Sequence, residues 1–247
     1  MFSSRNVLGG AIALGILVLA WQLYVAIRLR PSAVTGNDPA TYIQMASDLA
    51  TRGTVAHNRV NFDSLSDKEN DRQIFVLPGY SFVRATQLVV PVFAPGFPVL
   101  LAFADRIGGM DAMLWLTPLL GVGAVALVGG IAFQLFPALP RAWCAVIGAL
   151  ATLLLATNFK QMSLVLVPMS DVAAQFFCLL ALFIAWLQVT YKLIPLQGGS
   201  FLIDYYPVKM RWPDFVLVGV TVLFIALLAS WIPARKAARQ EFSLRSE

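Results

Sequence analysis

The chain has 247 residues, 59% of them hydrophobic and 13% charged, with a mean hydropathy of +0.75. A soluble domain is about a quarter charged, so an ordinary soluble globule is excluded. The formal net charge is +5, yet the basic residues stand at the ends of apolar runs. They are Arg28 and Arg30, Arg141, Lys209 and Arg211, then Arg235, Lys236 and Arg239. That placement suits anionic membrane lipid; without a basic patch interleaved with exposed aromatics, nucleic acid is excluded as a partner.

Crossing a bilayer takes about 20 apolar residues, and residues 7–29 supply the first such run. It exceeds the apolar region of a secretory signal, and Arg28 and Arg30 stand where a cleavage site would lie, so it reads as a retained anchor. A long polar segment follows, from residue 30 to about 84. Within it, residues 40–52 place Tyr42, Met45 and Leu49 on one face, predicting an amphipathic helix at the membrane surface. Gly53 is its stop signal. Residues 58–73, rich in Asp, Glu, Lys and Arg, read as a solvated loop. Residues 88–104 are apolar but broken by Pro91, Pro95 and Pro98, which predicts a short interfacial or half-inserted helix.

Further spans are expected at 112–136, 142–157, 163–189 and 215–232. Residues 193–209, around a Gly-Gly pair, suggest short extended segments, and residues 233–239 a cationic helical end. The fold class is an all-α polytopic membrane helix bundle with five or six transmembrane helices and an amphipathic surface helix in the first loop.

The chemistry-bearing candidates are few. Cys144 and Cys178 lie inside predicted spans with no CxxC or Cys/His grouping, so they read as buried thiols without metal or disulfide. His57, the single histidine, sits in a polar loop with no obvious partner and reads as solvated. Asp38 lies just beyond a span, with Tyr42 one turn on. It reads either as a general base at a membrane face or as the N-cap of a helix opening at Pro39. Asp171 is an ionisable group in an apolar segment, which is a functional hypothesis in itself; Ser170 or Asp171 capping a helix at the interface is the alternative. No GxxxxGK[ST], GxSxG or HExxH motif is present.

Two resemblances follow from particular residues. The segment Asn37-Asp38-Pro39-Ala40-Thr41-Tyr42 is followed by Phe93-Ala94-Pro95-Gly96-Phe97-Pro98-Val99-Leu100-Leu101-Ala102, and later Ser170-Asp171 opens a span. Together they resemble the N-terminal half of a GT-C membrane glycosyltransferase of the glycosyltransferase 39-like kind, over residues 1–187. The resemblance implies a sugar donor on polyprenyl phosphate, Asp38 as general base, Asp171 as a second acidic residue and Tyr42 as a substrate contact. Some members of that group use a divalent metal. Only half of such an enzyme is represented, so the chain as it stands is expected to lack transfer activity.

Residues 192–196 and 200–210, with Pro233-Ala234-Arg235-Lys236-Ala237-Ala238, are similar to the end of an FtsX-like ABC transporter permease, of the lipoprotein-releasing or macrolide-exporter type. That implies a last span, a cytoplasmic tail and an ATP-binding subunit as partner. The sequence thus divides into a GT-C-like module at 1–187 and a permease-like segment at 188–247, which reads as a chimera. The expected localisation is the bacterial cytoplasmic (inner) membrane, multi-pass. A third reading is a non-catalytic membrane anchor.

Overall fold

In the computed structural model, the described residues are 4–29, 34, 36–58, 79–83, 85, 86, 88–193, 213, 214, 216–221, 223 and 224. The predicted loop at 59–73, the extended segments at 194–209, much of the span at 215–232 and the tail at 233–239 lie outside them. So do most residues of the permease resemblance.

Two compact units are present, Met1–Phe183 and Ile184–Glu247. The first holds α1 (Ser4–Leu29), α2 (Asn37–Arg52), strands β1 (His57–Asn58), β2 (Tyr80–Val83) and β3 (Leu88–Pro91), then α3 (Gly96–Gln134), α4 (Arg141–Ala156) and α5 (Phe159–Val165). Helix α6 (Ser170–Tyr191) begins in the first unit and ends in the second. In the second unit, residues 213, 214, 216–221, 223 and 224 are helical.

Among the described residues, α1, α3 and α6 are long and apolar enough to cross a membrane. A fourth crossing exists if α4 and α5, bent by 65° at their break, form one span. Mostly helical, with three such helices, this is the architecture of a membrane protein. The individual helices explain themselves. The apolar, uncharged run of α1 leaves Ile16 and Leu17 exposed at 61% and 65%, as expected of side chains that face lipid rather than protein.

Two predicted boundaries are corrected. The proline-broken segment at 88–104 divides: residues 88–91 form β3, and the expected short helix begins only at Gly96 and runs to a break in α3 at Gly108 and Gly109. Pro91 ends the strand and Pro98 stands in the first helical turn, where no intrahelical N–H is required. The span expected at 112–136 corresponds to the part of α3 beyond that break, which runs to Gln134. That helix is kinked at Gly108 and Gly109, and Gly109, at φ 65°, has the left-handed backbone that glycine tolerates. The span expected at 163–189 is divided, because α5 ends at Val165 and α6 starts only at Ser170, after Pro168. The segment expected at 142–157 is helical as α4, which reaches spanning length only together with α5.

A small antiparallel sheet, order β1-β3-β2, escaped the all-α expectation. Helix α2 ends as predicted, with Gly53 at φ 69° donating its N–H to the Leu49 carbonyl at 3.2 Å. Its apolar face, expected on the membrane, is covered by protein. Tyr42, Ile43 and Ala46 pack on Phe97, Leu101, Ala102 and Ala104 of α3, while Met45 packs on Tyr80 and Val89 of the sheet. Deeper in the bundle, α3 and α4 approach closely at Gly129 and Gly148. A Cβ on Gly148 would lie 2.8 Å from the Gly129 carbonyl oxygen, so small residues set this packing distance.

Candidate functional site

Three distant segments meet at the start of α2. The Tyr42 hydroxyl and Ser170 Oγ lie 3.1 Å apart, joining α2 to the first residue of α6. The Tyr42 ring sits 5.1 Å from that of Phe93 and 5.5 Å, edge-on, from that of Phe97. Each such aromatic pair contributes roughly 0.5–1.5 kcal/mol beyond area burial. Met169 and Ala173, flanking the α6 start, belong to the same apolar cluster as Tyr42, Phe97 and Leu101.

Asp38 and Asp171 stand in the first turns of α2 and α6, and both are exposed. Carboxylates there are favoured by the positive end of the helix dipole. Asp38 is not the helix cap: α2 opens at Asn37, with Gly36 as N-cap and no side-chain capping bond. Tyr42 is buried, its hydroxyl engaged by Ser170. One turn separates Asp38 from Tyr42, and Ser170 precedes Asp171 directly, so the hydrogen bond couples the two acidic helix starts.

A second polar group lies two turns along α2. Asp48, 5% exposed, is surrounded by donors. Gln44 Nε2 donates to its Oδ1 at 3.1 Å, the Arg52 guanidinium pairs with Oδ1 at 2.8 Å, and His57 Nε2 reaches Oδ2 at 2.7 Å. His57 is therefore not the solvated loop residue expected from sequence: its hydrogen bond to Asp48 fastens β1 to α2. Arg52 Nη2 also lies 3.1 and 3.2 Å from the two ring nitrogens. The spacing of Gln44, Asp48 and Arg52 at i, i+4, i+8 was a legible signal for a polar stripe; the His57 contact crosses a turn and had none.

Tyr80 closes this group, its ring edge-on to His57 at 5.6 Å. Burial, and then the Asp48 carboxylate, push its phenol up to about 12, with Arg52 acting the other way. Phe93 packs against both groups of residues, linking the Asp48 cluster to the Tyr42 junction.

The cysteines are unlike one another: Cys144 is buried and Cys178 exposed, correcting the expectation of two buried thiols. Among the described residues, no group of three or more His, Cys, Asp or Glu side chains is arranged to hold a metal ion. No protein-family model matches the chain, and no solved structure matches it.

Proposed function

We propose that the chain is a GT-C-like glycosyltransferase module that engages a polyprenyl-phosphate-linked sugar at one face of a bacterial cytoplasmic membrane, which it crosses five or six times. What supports the reading is one convergence. The Asp38–Tyr42 segment, the Phe93–Phe97 segment and the Ser170-Asp171 pair are far apart in sequence, and they pack around the Tyr42 ring. In this reading the Asp38 carboxylate takes the proton of an acceptor hydroxyl as its oxygen attacks the anomeric carbon. The bond from that carbon to the phosphate oxygen breaks, and polyprenyl phosphate leaves with the electron pair. In the same reading Asp171 is the second acidic residue of the site.

The test is photolabelling of the full chain in nanodiscs with a photoreactive polyprenyl phosphate, followed by peptide mapping. Labelling confined to residues around α2 and the start of α6, and displaced by unlabelled polyprenyl phosphate, is expected. Labelling spread over the apolar helices and undisplaced by competitor contradicts a donor site and leaves a membrane anchor.

A further inference from the structure

Among the described residues, four polar atoms in the helices of the first unit are sealed from solvent without a hydrogen-bond partner. They are Gln22 Oε1 and Nε2 on α1, Thr117 Oγ1 on α3 and Gln161 Nε2 on α5. The three residues are only 3%, 1% and 6% exposed. Each unmade bond costs about 1–3 kcal/mol, and apolar helices around them offer no replacement.

Packing contacts fix how these residues stand relative to one another. On α1, Ala11 and Leu8 pack with Phe133 of α3 and with Ala145 and Ala149 of α4. Further along, Val18 packs with Val125 of α3 and Ala156 of α4. Helix α1 therefore runs antiparallel to α3 and parallel to α4. One turn past Val18 is Gln22, and one turn before Val125 is Gly121, which places these two at one level. A side chain on Gly121 would collide with Val165, so α5 abuts α3 at that level too. Gln161 is one turn from Val165 and Thr117 one turn from Gly121, and each such step is about 6 Å.

One carbonyl in this region also lacks its usual helical donor: Pro118 has no N–H for Leu114, one turn earlier on α3. Irregular backbone among membrane helices is tolerated where it is buried in protein or lines a water-filled cavity. The three side chains carry no formal charge, and together they present both donors and acceptors. Their complement is a small neutral molecule that can donate and accept, and water fits that description.

We propose that α1, α3 and α5 enclose a hydrated pocket in which Gln22, Thr117 and Gln161 bind water. The site is separate from Asp38 and Asp171 and stands whether or not the chain transfers sugar. It accounts for three buried polar side chains with one ligand.

The experiment uses the full chain in nanodiscs, with Cys144→Ala and Cys178→Ala as background. Gln22→Cys and, as a dry control one turn away, Val18→Cys are exposed to aqueous silver ion. After denaturation, the remaining thiol is counted by alkylation. A thiol ionises and meets silver only where water reaches it, so Gln22→Cys is expected to lose its alkylatable thiol and Val18→Cys to keep it. Equal retention in both, together with an unchanged or raised melting temperature in Gln22→Leu, overturns the proposal. Where Gln22→Cys does not fold, Gln22→Leu decides by the sign of its melting shift. Losing bound water lowers Tm, whereas removing a dry, unpartnered amide leaves Tm equal or raises it, which contradicts the pocket.

Discussion

Asp48→Ala is the perturbation with the clearest expected magnitude. The wild-type carboxylate is 7% exposed and is held by Gln44, Arg52 and His57 at 3.1, 2.8 and 2.7 Å. Hydrogen bonds to a charged group contribute about 1.5–3 kcal/mol each. The His57 side chain is 12% exposed, so its N–H is left poorly solvated when the partner goes. Arg52, 37% exposed, rehydrates and its pair contributes about 0–1 kcal/mol. The amide of Gln44 lies at an exposed position and also recovers water. Loss of the carboxylate therefore costs about 2–4 kcal/mol, carried mainly by the His57 contact. Because His57 fastens β1 to α2, the loss falls on local opening of the sheet. Amide exchange at the β1–β3 pairing should accelerate roughly 30- to 900-fold, at 1.36 kcal/mol per decade. A double-mutant cycle with His57→Ala should show coupling of about 1.5–3 kcal/mol. Exchange unchanged within about twofold, or additive single effects, would refute the clamp.

Two other outcomes follow from the same region. Tyr80, raised to about 12, keeps its proton in the folded state after the unfolded chain has begun to lose it near 10. Its contribution is complete below pH 10 and is lost as pH rises towards 12, so tyrosinate absorbance should show one late-titrating phenol that Tyr80→Phe removes. Tyr42→Phe keeps the ring contacts and deletes the bond to Ser170, costing about 1 kcal/mol by chemical unfolding; Tyr42→Ala also loses the ring, at about 3–5 kcal/mol.

The legible parts of the fold were those written in local pattern. An unbroken apolar run announced α1, periodic apolar residues announced α2, and Gly53 marked its end. The four-residue strands β2 and β3 were hidden because such short segments carry too little alternation to distinguish them from loop. Around Pro95 and Pro98 the expected short helix is present, but its start, which lies at Gly96, was placed too early because a proline's meaning depends on its distance from the helix start, which sequence locates poorly. The separation of α5 from α6 had a signal in Pro168, but the surrounding apolar residues obscured it. At the site, Asp38, Tyr42 and Asp171 could be singled out as residues; the Tyr42–Ser170 contact could not, since 128 positions separate its members. The Asp48–His57 pair was missed for a related reason: a lone histidine after a helix shows its partner only once the chain has turned back.

The central claim is that this is a glycosyltransferase module with Asp38 as its base. Sugar transfer from a polyprenyl-phosphate donor, measured in proteoliposomes carrying the full chain or Asp38→Asn, tests it most directly. Half of such an enzyme is expected to transfer little by itself; whatever transfer the wild type shows is predicted to be lost in the variant, with the helical signal and melting temperature unchanged. Measurable transfer that Asp38→Asn leaves unchanged would contradict the assignment of the base.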